Sequence, residues 1–305
     1  MCHPKLSIIV PVYNVAPYIR RCLASLVRQT LQDIEIICID DKGTDNSFRV
    51  VEEFAKKDKR FHLVYNAKNL GIALSEQRGI DVAKGEYVAF LDPDDWVDLN
   101  YYERLYSAAH KRKYDIAKAD RLMVYADDVI DDVHMNDRIL YRMQQGLTLF
   151  SSWTFGWTTA IYKKRFLSKN HIRITPLNLG FDVVFLSEVL SYQPTCVLVE
   201  NVFYYYLQRN TSITKRMNAY GYQSWMLYVL KICLLALNVP MDKDEYLEFM
   251  AHKLKVFLQQ LESFSKIRPK KSMLYRELLA QTLFVSPYLS DMYMRYPSSV
   301  ARWDQ

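Results

Sequence analysis

Hydrophobic positions in the first third of the chain alternate between two periods. Leu6 to Val12 (LSIIVPV) is a β-branched run that ends at the turn-prone pair Tyr13-Asn14. Ile34 to Ile39 (IEIICI) is a second such run, and it stops at Asp40-Asp41-Lys42-Gly43. Between them, Ile19, Leu23, Leu26 and Val27 recur at helical intervals across Tyr18 to Arg28. The pattern then repeats. Asp45 or Asn46 can cap a helix whose apolar face carries Phe48, Val51 and Phe54. Phe61 to Tyr65 predicts a strand, Leu74 to Ala83 a helix, and Tyr87 to Leu91 a strand that runs into Asp92-Pro93-Asp94-Asp95. Strands and helices joined by short connections predict an α/β fold with a mostly parallel sheet flanked by helices. Ligands in such sheets gather beyond the carboxyl ends of the strands. Tyr13-Asn14, Asp40-Asp41 and Asp92 to Asp95 are therefore expected to converge on one crevice.

The pattern changes after Tyr125. Asp127 to Asp137 is acidic and reads as a surface loop or hairpin, and Trp153 to Ile174 is aromatic and basic. Phe181 to Leu190 predicts a helix and Cys196 to Glu200 a short strand, while from Gly221 onward the chain reads as helical. With no internal repeat and no flexible linker, the expected organisation is a first part over 1–125, a continuation of the same domain over 126–218 and a helical C-terminal region over 219–305.

Composition narrows the class. Half of the 305 residues are hydrophobic, about a quarter are charged, and glycine and proline number only 8 and 10. That balance excludes disorder and collagen-like or low-complexity designs for the bulk of the chain. The longest apolar run, Trp225 to Val239, is broken by Lys231 and falls short of the ~20 residues that span a bilayer. The opening segment has no charged leader and too short an apolar stretch for a secretory signal. Five cysteines at wide spacing, without a CxxC pair, indicate neither a zinc site nor a disulfide framework. Reduced thiols in a cytoplasmic protein are expected. The net charge of +6 suits an anionic small substrate or an acidic membrane surface. The six histidines are scattered, and neither a P-loop, a GxGxxG turn nor a nucleic-acid-binding module is present.

The chemistry concentrates at Asp92, Asp94 and Asp95. Three carboxylates within four residues after a buried strand suit a hard divalent cation, which takes oxygen ligands and often shares them with substrate phosphates. The competing reading is a solvated acidic turn with Asp95 capping the next helix.

The order SIIVPVYN, DIEIICIDDKGTDNS, NLGIA and KGEYVAFLDPDDW resembles the nucleotide-sugar-binding domain of family 2 glycosyltransferases, which have the GT-A (Rossmann-like) fold. Farther on, SSWTFGWTTAIYKKRFLSKNHIRI resembles the family's bacterial acceptor-side segment. The resemblance is to bacterial members that build lipopolysaccharide, capsule or other surface glycans, and it does not extend to the helical C-terminal region. It implies an inverting transfer from a UDP-sugar to a saccharide acceptor, assisted by Mn²⁺ or Mg²⁺. Pro11, Tyr13 and Asn14 then fall where the family wraps the nucleotide, and Asp41 matches the aspartate that hydrogen-bonds uracil. Asp92 matches the ribose and metal-proximal position, and Asp94 the carboxylate that holds the metal. GFDVVFLSEVL fits the segment bearing the general base, which assigns that role to Asp182; a helix-start aspartate also suits a cap. FYYYLQRNTSITKR resembles the post-catalytic loop, with Arg209, Lys215 and Arg216 available to a diphosphate.

Two positions depart from the family pattern. Phe181 stands where the acidic pair usually begins with Glu, and Glu76-Gln77 stand where Arg-Asn is usual, with Arg78 two positions beyond Glu76 as a compensating cation. These departures favour the alternative of a degenerate member that binds nucleotide-sugar or glycan without turnover. Trp153 and Trp157 suit either core packing or stacking on an acceptor sugar. The basic run Lys266, Arg268, Lys270 and Lys271, with Tyr288, Met292, Tyr293, Met294, Tyr296 and Trp303 beyond it, suits a solvated helix face or docking on an anionic leaflet that presents a lipid-linked acceptor.

Overall fold

A computed structural model describes residues 3–125, 130–133, 139, 142–144, 147–152, 156–209, 219–253 and 255. The β-branched runs form strands β1 (Leu6–Val12), β2 (Ile34–Asp40), β3 (Phe61–Tyr65) and β4 (Tyr87–Phe90). Helices α1 (Ala16–Val27), α2 (Ser47–Ala55) and α3 (Ile72–Val82) connect them. These four strands pair in parallel in the spatial order β3-β2-β1-β4. Side-chain alternation divides the core between the two faces. Ile8, Val10, Ile36 and Cys38 pack under α1 on one face, and Ile9, Ile37, Ile39 and Phe90 pack on the other.

Helix α1 shows how a sequence pattern becomes packing. A proline stands in its first turn, where the missing N–H is no loss. Ile19, Cys22, Leu23 and Leu26 then line one face and are fully buried. Helix α3 comes closer still. A Cβ built on Gly79 would lie 2.4 Å from Ile9 Cγ2 and 3.1 Å from Ile39 Cδ1, so only glycine lets this helix rest on β1 and β2.

Beyond β4 the sheet becomes mixed. Strand β5 (Trp96–Val97) and helix α4 (Tyr101–Arg112) lead to β6 (Ile116–Val124), which forms an antiparallel hairpin with β7 (Ile130–Val133). Within the acidic segment after Tyr125, Ile130–Val133 is thus a strand paired with β6. After the four-residue helix α5 (Leu149–Ser152), β8 (Ala160–Lys163) inserts antiparallel between β4 and β6. Next come α6 (Lys164–Lys169), α7 (Phe181–Ser191), β9 (Cys196–Leu207) and α8 (Ala219–Ala236). Strand β9 pairs in parallel with β6 and antiparallel with β5, completing the order β3-β2-β1-β4-β8-β6-β9-β5. Strand–helix alternation predicts parallel pairing only as far as Phe90. The second half fills the gap beside β4 with a strand of opposite direction, and the sheet curls until β5 lies at the far end of the order from β3.

Strand β9 is longer than its sequence suggests. Phe203 to Leu207, read as part of a loop, continues the strand past a register shift opposite Ala119/Asp120. This extension fixes the acidic turn. The Tyr204 hydroxyl donates to Asp95 Oδ2 at 2.7 Å and accepts from the Asp92 N–H at 3.2 Å, and the Leu207 N–H donates to Asp95 Oδ1 at 2.8 Å. Asp95 is fully buried by these contacts. It does not cap a helix, because α4 begins after Asn100 and Asp95 is already committed to β9.

Helix α8 packs on α7. The Lys231 ammonium donates to Thr175 Oγ1 at 2.6 Å and pairs with Glu188 at 3.3 Å, while Ile232 and Ala236 join the core beneath α7. Among the described residues, no helix is long and apolar enough to cross a membrane.

Two substitutions test this packing. Gly79→Val is expected to lower the unfolding free energy by about 2–3 kcal/mol through overpacking against Ile9; an unchanged urea midpoint would mean that α3 stands off the sheet. Tyr204→Phe, which strips one donor from a buried carboxylate, is expected to cost about 1–3 kcal/mol. A neutral result in the same titration would mean that Asp95 does not depend on β9.

Candidate active site

The carboxyl ends of β1, β2 and β4 lie side by side, and a polar cluster follows each of them. Pro11 is buried within β1 opposite Ile39, so it shapes the strand end. The Tyr13 ring is 47% exposed and stands at the rim, available to a ligand. Asn14 takes a left-handed conformation with φ 51°. Its Oδ1 accepts from the Thr44 N–H at 2.7 Å and the Asp45 N–H at 3.3 Å. Asp45 reaches back, accepting from the Ala16 N–H at 2.8 Å and the Ser47 N–H at 2.9 Å. Partial burial pushes its carboxyl up, but these hydrogen bonds outweigh that and hold it below the ordinary value. The loops after β1 and β2 are therefore laced together. A Cβ on Gly43 would approach the Asn14 amide nitrogen to 2.9 Å, so this close contact depends on glycine.

Asp41 is buried and well supplied with donors. It accepts from Asn66 Nδ2 at 2.8 Å and from the Leu70 and Gly71 N–H groups at 2.7 and 3.0 Å. Arg78 does not reach the crevice from its place on α3. Its guanidinium donates to Asn66 Oδ1 at 2.6 Å and to the Tyr65 carbonyl at 2.9 Å, so it acts on Asp41 through Asn66.

The acidic turn and the start of α7 complete the crevice. Asp94 pairs with Arg209 at 2.5 Å, and the guanidinium lies 4.8 Å over the Tyr18 ring. Burial pushes the Asp94 carboxyl up, and the positive charges of Arg209 and Arg21 pull against it. Asp92 is pushed up to about 7, first by burial and then by the negative charges of Asp94 and Asp182, with Arg209 a partial offset. Asp182 lies in the first turn of α7, just after Gly180 at φ +78°. Burial raises its carboxyl, and the backbone N–H groups of Val183 and Asp182 moderate the shift. The charge on Asp182 is felt at Asp92 although 90 residues separate them in sequence, so the fold brings the start of α7 towards the acidic turn.

Phe181, at the position where the family pattern has Glu, is buried and meets Trp157 edge-to-face at 5.7 Å. Trp157 is stacked on Phe90 at 4.1 Å and is likewise core, not a sugar platform. Trp153, Lys215 and Arg216 lie outside the described residues, as does the basic and aromatic stretch from Lys266 onward.

The sequence reading overlooked several residues. Tyr204 hides in an aromatic run and is marked only by its alternation with its neighbours. Arg21 lies 3.4 Å over Trp96, which stacks on Tyr205 at 5.2 Å, and this column braces the far side of the acidic turn. Tyr228 of α8 crosses over Gly180, where an added Cβ would approach Tyr228 Cδ1 to 2.5 Å. Glu76 is fully buried and, among the described residues, neither of its oxygens meets a hydrogen-bond donor. Burial, followed by the charges of Asp92 and Asp182, drives its carboxyl well above the ordinary range.

Among the described residues, no three His, Cys, Asp or Glu side chains converge on a closed metal site. Asp92 and Asp94 instead offer oxygen donors at a crevice with excess negative charge. That arrangement fits a hard cation completing its shell with substrate phosphates.

The chain is similar to known proteins in sequence and in fold. Two curated relatives are EpsJ of Bacillus subtilis, an uncharacterized glycosyltransferase, and YibD of Escherichia coli, another. EpsJ is 43% identical over 113 residues, covering 37% of this chain and 33% of EpsJ, so the chain spans about a third of that relative. YibD is 27% identical over 308 residues, covering 97% of this chain and 88% of YibD. S. aureus TarS 1-349 in complex with UDP-GlcNAc superposes with a TM-score of 0.66 at 20% identity, covering 97% of this chain and 81% of that one. The mannosyltransferase PcManGT from Pyrobaculum calidifontis, in complex with GDP-Man and Mn²⁺, gives 0.59 at 16% identity over 100% of this chain and 89% of its own. These likenesses establish the GT-A fold. The family model for glycosyl transferase family 2 matches residues 7–170, and the chain belongs to that family.

Proposed function

We propose that the protein is a metal-dependent, inverting glycosyltransferase that moves a hexose or N-acetylhexosamine from a UDP-sugar to a saccharide hydroxyl in bacterial surface glycan synthesis. The observation that carries this reading is that buried Asp92 in the acidic turn feels the negative charges of both Asp94 and Asp182. A donor diphosphate at the turn would then place its anomeric carbon between the turn and the carboxylate that serves as base. TarS in complex with UDP-GlcNAc and PcManGT in complex with GDP-Man and Mn²⁺ are consistent with it.

Each residue then has a task. Tyr13 lies against the base and Asn14 keeps its loop in place. Asp41 holds one lone-pair site beyond its three protein donors, which suits the uracil imide N–H. Arg78 orients Asp41 through Asn66. Asp94 and Asp92 would hold Mn²⁺ or Mg²⁺, which when bound offsets negative charge on the leaving diphosphate. Arg209, already at Asp94, adds a guanidinium to the same phosphates.

Asp182 takes the proton from the acceptor hydroxyl as that oxygen bonds to the anomeric carbon. The bond from carbon to the diphosphate oxygen breaks on the opposite face, and its electron pair leaves with UDP. Burial makes Asp182 a stronger base than an exposed aspartate. A cytoplasmic location, with the C-terminal basic and aromatic stretch touching the inner leaflet, would bring such an enzyme to a lipid-linked acceptor. The alternative, binding without turnover, draws on Phe181, which lies in the core and contributes no carboxyl to the base pair.

The decisive assay is release of UDP from a panel of UDP-sugars, with Mn²⁺ or EDTA, for wild type, Asp94→Ala and Asp182→Ala. Expected are metal-dependent release from one or two sugars, at least a 100-fold loss in Asp94→Ala, and a comparable loss of transfer to acceptor in Asp182→Ala. Release that ignores EDTA would remove the metal from the reading. Donor binding without release, even with acceptor glycans supplied, would favour the degenerate alternative.

A further inference from the structure

Strand β9 delivers a cation to the acidic turn. The Leu207 N–H donates to Asp95 Oδ1 at 2.8 Å and the Gln208 N–H to the Val124 carbonyl at 2.8 Å, so the backbone just before Arg209 is anchored on both sides. From that anchor the Arg209 side chain crosses to the turn, where its Nη2 pairs with Asp94 Oδ2 at 2.5 Å. The Tyr18 ring lies 4.8 Å from the guanidinium carbon and supports it by a cation–π contact. Both partners are shielded from water, the Asp94 side chain being 13% exposed and that of Arg209 22%. This is not a solvated surface pair of the kind that contributes little.

The same guanidinium is only partly satisfied. Arg209 Nε is buried and, among the described residues, meets no acceptor. A buried donor left unpaired is costly, and native structures rarely keep one without a reason. The nitrogens of a guanidinium form a planar fork that matches two oxygens of one phosphate. Arg209 therefore has one nitrogen on Asp94 and another still open to an acceptor. In the reading proposed above, Asp94 is also the carboxylate that holds the metal. Mg²⁺ bonded to that carboxylate at about 2.1 Å would stand within a few ångströms of the guanidinium. Two positive charges that close repel strongly where water is scarce. Arg209 and the metal compete for one side chain.

We propose that Arg209 is a positioning residue that fixes the order of binding: it occupies Asp94 until a diphosphate draws it away, so the divalent cation is taken up with the nucleotide and not before it. The phosphate oxygens satisfy Nε and Nη2 together, and Asp94 Oδ2 passes from the guanidinium to the metal. The exchange needs only the side-chain torsions of Arg209, because the backbone behind it stays bonded to Asp95 and Val124. Linkage makes the effect reciprocal: the factor by which UDP strengthens metal binding is the factor by which the metal strengthens UDP binding. The inference rests on the proposed metal-assisted use of a UDP-sugar and adds how metal and nucleotide are admitted.

The test is titration with Mn²⁺, read by its electron paramagnetic resonance signal, with and without saturating UDP. The proteins are wild type, Arg209→Gln and Arg209→Lys, with melting curves for each. Expected in Arg209→Gln without UDP is roughly 10-fold or more tighter Mn²⁺ binding than in wild type, within the usual range of coupling between sites. The factor by which UDP strengthens Mn²⁺ binding should fall to a comparable extent. Arg209→Lys, which keeps a charge at the turn, should stay within about threefold of wild type without UDP. General damage to the turn would weaken the metal in both states, so tightening in one state is not a result that a merely structural role gives. Arg209→Met, which keeps an apolar stem over Tyr18, is read instead if Arg209→Gln melts early. Mn²⁺ binding without UDP that is unchanged or weaker in the neutral variants, or equally tightened in Arg209→Lys, would overturn the inference and leave the transferase reading intact. Wild type that binds UDP but takes up no Mn²⁺ with or without it would overturn this inference and the metal dependence together.

Discussion

Negative charge gathered where water is scarce is the constraint around which the rest of the molecule is arranged. Asp92, Asp94, Asp95, Asp182 and Glu76 all lie at or under one crevice, and burial raises the carboxyl of each. Left alone, such a cluster would destabilise the fold. The chain answers at each carboxylate in a different way. Asp95 is consumed by hydrogen bonds from β9, and Asp94 is neutralised by Arg209. The backbone N–H groups at the start of α7 moderate Asp182. Asp92 and Glu76 are the least compensated.

The two halves of the sheet divide this labour. The parallel half supplies strand ends and the laced loops after β1 and β2, which together form one rim. The mixed half supplies the clamp. Strand β9 fixes the acidic turn from behind, and α7 carries Asp182 in from the other side. Helix α8 then seats α7 through Lys231 and the close crossing at Gly180. A site residue in this protein is thus rarely held by its own element; Asp41 depends on the Asn66 and Leu70 loop, and Asp95 on a strand far along the chain.

Much of the first half was legible in the sequence, because its signals are local. β-Branched runs, helical spacing and strand-end polar residues each declare themselves within about ten positions. That Tyr13, Asp41 and Asp92 each follow one of three neighbouring parallel strands is a matter of topology alone. The second half was harder to read. Nothing local distinguishes β8 as antiparallel, and the FYYYL run resembles a loop approach as much as a strand until it is seen against β6 and β5. Asp95 looked like a helix cap because its true partners, Tyr204 and Leu207, are remote in sequence. Arg78 and Glu76 share one helix, yet one turns to the β3 loop and the other lies under the crevice. Positions two apart on a helix point to opposite sides, and the close contact of Gly79 with Ile9 sets which side of α3 faces the sheet.

The wiring of the acidic turn also sets an order of events during folding. The donors that hold Asp95 arrive 109 and 112 residues after it. Closing so long a loop adds little to the equilibrium cost, which grows only with the logarithm of loop length. Kinetically it is different, since non-local pairing is slow to form. The parallel half can assemble from neighbouring segments, whereas the crevice waits for β9 to thread past β6 and dock beside β5. The crevice is therefore completed late, and a nascent chain stopped short of Leu207 would carry its cluster of aspartates without the strand that tames it.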